Sequence, residues 1–557
     1  MYNLLIGGAA GQGVDSLTLT LEMLIKRAGC GLFTMRDLMS RIRGGHNFSR
    51  IRFGAEAPAA HAQALDGIIA LNQETIDLHL GDLKPEGFVL FDKALKCLDP
   101  RAMPMGLMET AKDLGNERAF SSVAAGAALK LLGISLDEEG ARHSFSRSLK
   151  PALVELNVKA ALAGRDAVEQ RLPPVGGGHA GDMLLSGSQA LSLGAMRAGL
   201  QFYSAYPMSP STAILEYLAH SAQQVGFLVE QAEDEIAAIS LAIGASFAGA
   251  RAMTGTSGGG FSLMVESLGL AGMIEVPLVI VDAQRAGPAT GLPTRTEQSD
   301  LKFVISAAQG EFPRMVIALR SHEDAYYQTI RAFTIAEKYQ IPVILLTDQF
   351  LQDSTATVPL FKSPPEDPPA PDMIPQDEEY ARYRYTESGI SPRLFPGDKR
   401  GFAAADSDEH DEMGHIIEDA QTRAKMMDKR MGKLELLKEE LLEPELLGAE
   451  DAEMLLIGWG SMRGSIMEAL DLLNSQPGGR YGALVFGDVW PLPQTLLVEK
   501  AQKARVLINV EQNYTGQLAS LIRQETGIAM HRSVLRYDGR QLTGADIFEK
   551  VMKETKQ

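Results

Sequence analysis

Three stretches of this 557-residue chain place polar side chains where predicted strands end. Residues 206–212 read YPMSPST after a predicted strand at 202–205, residues 229–238 read VEQAEDEIAA at the end of one at 227–229, and residues 281–287 read VDAQRAG at the end of one at 278–282. In an open parallel sheet, ligands bind in the crevice outside the strands' carboxyl ends, so three such ends can pool a hydroxyl, an acid and a cation in one pocket. Ser209 supplies a hydroxyl on a turn stiffened by flanking prolines, and stiffness helps hold a donor in place. Arg285 offers a planar fork for two-point carboxylate binding. Glu235 opens a run, 236–244, that as a helix is apolar almost all round and so is expected to be deeply buried, an unusual setting for a carboxyl. Plainer readings stand beside these. Glu233, Asp234 and Glu235 all suit a helix N-terminus through its dipole, and a loop arginine is commonly a surface residue.

Positioning such residues requires alternating strands and helices, and the chain supplies them. Strand-like runs at 3–6, 67–70 and 87–91 alternate with helical stretches at 17–28 and 121–132, and LPPVGGGHAGD at 172–182 marks a join. A second set of predicted strands lies at 202–205, 227–229, 251–254, 278–282, 315–318 and 343–346, ending at the proline-rich KSPPEDPPAPDMIP of 362–375. Ile417, Ala420, Ala424, Met427, Met431, Leu434, Leu437 and Leu441 recur at three- and four-residue spacing, which predicts one long amphipathic helix packed on its own or a neighbouring subunit. Strands near 454–457, 482–485 and 506–510 close the pattern.

At 45% hydrophobic residues the chain can bury the cores of three or so domains. A formal charge of −18 argues against sequence-independent nucleic-acid binding and against an anionic membrane surface. No run approaches the roughly 18 apolar residues of a membrane helix. The first residues read as a buried strand and a glycine turn instead of a signal peptide, so a cytoplasmic location is expected. Cys30 and Cys97 form no Cys-x-x-Cys pair and cannot supply four thiolates to an iron–sulfur cluster. Each is expected to be a small buried or half-buried side chain.

Together these motifs resemble the alpha subunit of 2-oxoacid:ferredoxin oxidoreductases with the gamma domain fused at its N-terminus. The likeness rests on YPMSP at 206–210, where the family has Tyr-Pro-Ile-Thr-Pro, on the Glu235 helix, on RAGPATGLPTRTEQSD at 285–300 and on VEQNYTGQL at 510–518, and it covers nearly the whole chain. It implies an α/β fold with a gamma domain at 1–172, a thiamine pyrimidine-binding domain at 183–358, a linker with the long helix at 359–450 and a transketolase C-terminal-like domain at 451–557. Glu235 matches the glutamate that touches N1′ of the thiamine aminopyrimidine, with Tyr206 and Pro207 beside it. Such an acid must be protonated to donate, and apolar burial favours the neutral form of a carboxyl. The bond favours the imino tautomer, whose 4′-imine takes the proton from the thiazolium C2. Arg285 matches the arginine that holds the substrate's 1-carboxylate. Ser209 keeps the hydroxyl of the usual threonine, whereas Met208 in place of isoleucine departs from the pattern at the pocket wall.

The resemblance further implies a beta subunit carrying thiamine diphosphate, Mg²⁺ and one Fe₄S₄ cluster, a dimer of alpha–beta heterodimers, and conversion of a 2-oxoacid, coenzyme A and oxidised ferredoxin to acyl-CoA, CO₂ and reduced ferredoxin. The fused arrangement and GLPTRTEQSD at 291–300 look like the 2-oxoglutarate branch, in which Arg295 or a beta-subunit lysine would meet the distal carboxylate. Pyruvate, branched-chain and aryl 2-oxoacids are the alternatives. The glycines of TGTSGGG at 254–260 are expected to let backbone approach the cofactor or partner closely.

GGAAGQG at 7–13 follows the first strand, and a helix N-terminus attracts pyrophosphate. The strict dinucleotide fingerprint fails, because aligning Gly8 and Gly13 puts Ala10 at the middle glycine. By resemblance it is the gamma-domain motif, paired with RIRGGHN at 41–47, of a domain implicated in binding coenzyme A. Gly11, Gln12, Gly13 and Arg43 are the candidate contacts, a scaffold turn being the alternative for each. Two other classes stay open at this point: an NAD(P)-dependent dehydrogenase and a non-catalytic scaffold. In DSDEHDEMGH at 406–415 the spacing of His410 and His415 allows a metal site, but an acidic solvated loop is expected.

Overall fold

A computed structural model describes residues 1–39, 44–362, 369, 373 and 380–555. The chain is α/β, with sheets of eight, seven and five strands. It divides into two compact units, Met1–Ser186 with Asp353–Phe361, and Gly187–Gln352 with Lys362–Gln557. Among the described residues no helix is long and apolar enough to cross a membrane.

The first unit is built on the eight-stranded sheet, with Tyr2–Ala10 near its centre, parallel to Leu65–Ala70 and antiparallel to Gly44–Gly54. The antiparallel pair Gly31–Asp37 and Gly44–Gly54 is not evident in the sequence, because the buried face of the second strand includes the polar Asn47 and Ser49 beside Ile51 and Phe53. The two ends of the 183–358 span, Met183–Ser186 and Thr355–Val358, pair with each other and join this sheet through Gly31–Asp37. Cys30 is buried and Cys97 half-buried, both as free thiols.

In the second unit, Phe202–Ala205, Leu228–Gln231, Ala252–Thr256, Leu278–Gln284, Met315–Ala318 and Pro342–Asp348 form a parallel sheet. Its central strands Leu278–Gln284 and Pro342–Asp348 are buried along their whole length, as helices on both faces require. A seventh strand, Asp488–Trp490, adds antiparallel to Met315–Ala318, and Arg331 grips Asp488 through its two terminal guanidinium nitrogens at 2.6 and 2.7 Å. The five-stranded sheet contains the three strands predicted after residue 450, extended by Glu445–Gly448 and Arg532–Leu535.

The long helix is present as Ala420–Lys438, but it does not bury the apolar stripe. Its buried positions are Met426, Lys429, Arg430, Lys433 and Leu437, while Ala424 is exposed and Met427, Met431 and Leu434 are half-buried. The reason is electrostatic. Glu275, buried after the helix Gly258–Met273, is paired with Lys429 at 2.6 Å and Lys433 at 2.5 Å, so two lysines enter the core in place of leucines. Burial opposes the Glu275 charge, yet Lys433, Lys429 and Arg382 hold its carboxyl well below the usual range. Arg430 similarly pairs with Glu409 at 2.6 Å, so residues 406–415 are only partly the solvated loop expected. His410 is fully buried against the ring of Tyr383, whereas His415 is exposed. Removing one partner of a buried pair leaves an uncompensated charge. Glu275→Gln should therefore cost about 3–5 kcal/mol in urea unfolding, and adding Lys429→Met and Lys433→Met should recover most of it.

Candidate active site

The strand Leu228–Gln231 leads into the helix Glu235–Phe247, whose start distinguishes three neighbouring acids. Asp234 is the N-cap and accepts a hydrogen bond from the Ala237 amide at 2.8 Å, and Glu233 is exposed. Glu235 turns inward, 3% exposed, and its Oε1 has no hydrogen-bond partner among the described residues. Helix-end stabilisation thus falls to Asp234, which frees Glu235 from that explanation. Ser204 locks the helix to the sheet by donating to the Ala238 carbonyl at 2.6 Å. The helix is not buried all round: Ile236 is 51% and Leu241 42% exposed, as is Leu263 on the next helix at 50%. An almost wholly apolar helix on a sheet face still has an outer side, which this single chain leaves uncovered.

The Glu235 carboxyl faces the first turn of the helix Gly258–Met273. A Cβ at Gly260 would lie 2.4 Å from Glu235 Oε1 and 2.1 Å from Thr256 Oγ1, and one at Gly258 would lie 2.4 Å from Asp300 Oδ2. These two glycines make room for carboxyls of the same chain, and Gly259 lies on the exposed side. Ser257, at the helix start, is buried with its hydroxyl unpartnered among the described residues. The Thr256 hydroxyl contacts Met208 Sδ at 3.8 Å, which brings the atypical methionine of the 206–210 turn to the Glu235 pocket.

Arg285 follows the strand Leu278–Gln284, is half-buried, and donates through Nη1 to the Ser209 carbonyl at 3.0 Å. The fold thus joins two of the residues singled out by type. Burial lowers the Arg285 pKa and Asp300 works against it. Tyr206 is exposed and Pro207 half-buried on the same turn. Residues 286–295 fold back on themselves, Leu292 donating to the Ala286 carbonyl at 2.8 Å, and Arg295, half-buried, packs its Cβ near Gly539. In the first unit, Gly11 and Gly13 take positive φ of 91° and 87° at the entry to the helix Val14–Arg27, and Gln12 Oε1 accepts from the Ala9 amide at 2.7 Å. Arg43 lies outside the described residues.

The structure adds acids that reasoning by residue type passed over. Asp282, on the central strand, is 0% exposed with neither oxygen hydrogen-bonded among the described residues; burial and Asp300 push its pKa well above the usual value. Burial raises Asp300 to about 6 against the pull of Arg285, and burial with Asp300 raises Glu297 to about 7. An acid at the carboxyl end of an otherwise apolar central strand was the available signal for Asp282. The segment bearing Asp300 is clamped from the C-terminal sheet. Gln298 donates to the Trp459 carbonyl at 3.0 Å and accepts from the Gln512 amide at 3.3 Å, Asn513 donates to the Gln298 carbonyl at 3.0 Å, and Gln517 donates to the Ser299 carbonyl at 2.6 Å. The motifs at 285–300 and 510–518 therefore interlock. Among the described residues no group of three or more His, Cys, Asp or Glu side chains is arranged to hold a metal ion.

The family described as pyruvate ferredoxin/flavodoxin oxidoreductase matches residues 3–167, and that described as pyruvate flavodoxin/ferredoxin oxidoreductase, thiamine diphosphate-binding, matches residues 193–429. A 2-oxoacid:ferredoxin oxidoreductase subunit alpha from Sulfolobus is 32% identical over 99% of this chain and 96% of its own. The 2-oxoglutarate synthase subunit KorA of Methanothermobacter marburgensis is 30% identical over 67% of this chain and 98% of its own. The 2-oxoglutarate:ferredoxin oxidoreductase of Magnetococcus marinus, solved with 2-oxoglutarate, coenzyme A and succinyl-CoA bound, superposes with a TM-score of 0.92 at 31% identity, covering 99% of both chains. Matched almost end to end in sequence and in fold, the chain belongs to the alpha subunits of the 2-oxoacid:ferredoxin oxidoreductases.

Proposed function

We propose that this alpha subunit oxidatively decarboxylates 2-oxoglutarate, with coenzyme A and oxidised ferredoxin as co-substrates, in complex with a beta subunit that carries thiamine diphosphate, Mg²⁺ and one Fe₄S₄ cluster. The observation that carries the reading is Glu235: a buried carboxyl with an unpartnered oxygen, at the carboxyl end of a parallel sheet and beside an uncovered apolar face. A single buried acid of this kind fits a heteroaromatic ring nitrogen that needs one hydrogen bond. Thiamine diphosphate, when bound, supplies the electron sink that a 2-oxoacid needs to lose CO₂.

Glu235 holds a proton at the ring nitrogen, and the close walls of Thr256 and Gly260 fix where that proton is presented. Tyr206 and Pro207 border the ring on the same turn. Arg285, oriented by the Ser209 carbonyl, anchors the substrate's 1-carboxylate, and the Ser209 hydroxyl steadies the negative charge that develops on the keto oxygen. Arg295 meets the distal carboxylate. The exposed Ile236, Leu241 and Leu263 form an apolar surface that a partner subunit would cover, consistent with a dimer of heterodimers. Coenzyme A is assigned to the first unit, where Gly11, Gln12 and Gly13 form an open turn at a helix N-terminus suited to pyrophosphate, with Arg43 as a further contact. A cytoplasmic location fits this chemistry. The choice of 2-oxoglutarate draws on the relatives named for that substrate, and family membership replaces the dehydrogenase and scaffold alternatives.

Two measurements on the co-expressed alpha–beta complex test the reading, both by CoA-dependent viologen reduction. Glu235→Gln should lower turnover by at least about a hundredfold, the scale of lost acid–base catalysis, and Gly260→Ala, whose methyl displaces the carboxyl, should lower it in the same direction; wild-type rates in both would sink the role of Glu235. Across a panel of 2-oxoacids, 2-oxoglutarate should give the highest kcat/KM, and preference for pyruvate or a branched-chain acid would refute the substrate assignment.

A further inference from the structure

We propose that Thr256 is a positioning residue for Glu235: its hydroxyl turns from the Met208 sulfur to the inward oxygen of the Glu235 carboxylate when that acid gives up its proton, and so holds the carboxylate in place for the proton's return. The inference rests on the reading of Glu235 as the acid at the thiamine ring nitrogen and adds to it the donor that the ionised acid requires.

Three observations carry it. First, the two side chains meet in one small space. Thr256 closes the strand Ala252–Thr256, Glu235 opens the helix Glu235–Phe247, and the place that a Cβ of Gly260 would take lies 2.1 Å from Thr256 Oγ1 and 2.4 Å from Glu235 Oε1. The atoms nearest to that point all belong to these two residues. Second, Glu235 Oε1 is an acceptor without a donor: it is sealed from solvent and has no hydrogen-bond partner among the described residues. Third, Thr256 is a donor without a good acceptor. The residue is 0% exposed, and its hydroxyl reaches only the Met208 sulfur at 3.8 Å and the Ser257 carbonyl at 3.5 Å. A thioether is a weak acceptor, and the second contact is longer than an ordinary O–H···O bond.

The backbone around the pair is fixed. On the Glu235 helix, Ser246 donates to the Pro277 carbonyl at 2.5 Å, and Ser204 reaches the Ala238 carbonyl at 2.6 Å, so only the hydroxyl and the carboxyl are left to respond. While the acid is protonated it is neutral, and its inward oxygen needs little. Once the proton has passed to the ring nitrogen, the carboxylate carries charge on both oxygens, and one of them lies where no water reaches it. Such an oxygen is strongly unfavourable without a donor. The hydroxyl hydrogen rotates freely about its C–O bond, so the Thr256 O–H can turn from the sulfur to the carboxylate with no backbone movement. The bond it makes there is charge-assisted and stronger than the one it leaves. A single proton is transferred, from Glu235 to the nitrogen and back; Thr256 keeps its own throughout. Met208 gives the hydroxyl a resting place that an isoleucine at 208 would not offer.

The test uses the assembled alpha–beta enzyme loaded with thiamine diphosphate, without a 2-oxoacid, and reads the hydrogen–deuterium exchange of the thiazolium C2–H by rapid quench and NMR. Thr256→Val, which keeps the shape and loses the hydroxyl, should slow this exchange roughly tenfold or more, the scale of one hydrogen bond to a charged group. Thr256→Ser, which keeps the hydroxyl and loses the methyl, should restore it to within about threefold of the parent. Exchange at the parent rate in Thr256→Val overturns the proposal, and so does exchange as slow in Thr256→Ser as in Thr256→Val, because the methyl and its packing would then be what matters. If the valine variant does not fold, Thr256→Ala, which adds no atoms, takes its place in the same comparison. Glu235→Gln separates the two claims: parent-rate exchange there would remove the acid itself, whereas slowed exchange there with parent-rate exchange in Thr256→Val would remove only the role of Thr256.

Discussion

Charge withdrawn from water must be matched inside the protein, and the second unit is organised by where it meets that constraint and where it does not. At Glu275 the match is complete: Lys429 and Lys433 pair with the carboxylate and bind the linker helix to the core, with the charge of Arg382 nearby. At the carboxyl ends of the parallel strands it is withheld. Glu235 and Asp282 are as deeply buried, yet one oxygen of the first and both of the second have no partner among the described residues. Uncompensated acids in a cleft are a mark of function, because the missing partner arrives with a ligand or as a proton.

The scaffold around these acids is correspondingly stiff. Ser204 fixes the Glu235 helix to its strand, Gly258 and Gly260 bring a second helix so close that two carboxyls fill the space of absent side chains, and the interlock of Gln298 with Gln512 and Asn513 ties the Asp300 segment to the C-terminal sheet. The proposed placing of a proton at one ring atom gains from walls that do not yield. The apolar face beside it has the opposite character, exposed and uncovered, which suits a site completed by another polypeptide.

Much of this was legible in the residues. The alternation of apolar runs with helical stretches marked the parallel strands of the second unit, because strands buried on both faces must be continuously apolar. Three polar motifs at strand ends marked the pocket, since a parallel sheet opens its ligand crevice there. What misled was periodicity read without partners: the linker helix buries Lys429 and Lys433 in preference to its apolar stripe, because an acid 154 positions away in sequence neutralises the first of them. The strand Gly44–Gly54 was hidden for a related reason, its inward face being partly polar.

By itself the sequence determined the α/β class, the strand ends that bear Ser209, Glu235 and Arg285, and the presence of too few cysteines for a cluster, all of which follow from local pattern and composition. Only the tertiary structure decided which of three consecutive acids turns inward, that Arg285 rests on the Ser209 carbonyl, and that Asp282 is buried with neither oxygen partnered among the described residues. Those outcomes depend on contacts between residues tens to hundreds of positions apart, and burial, which sets the state of a carboxyl, belongs to the packed molecule and not to any stretch of chain.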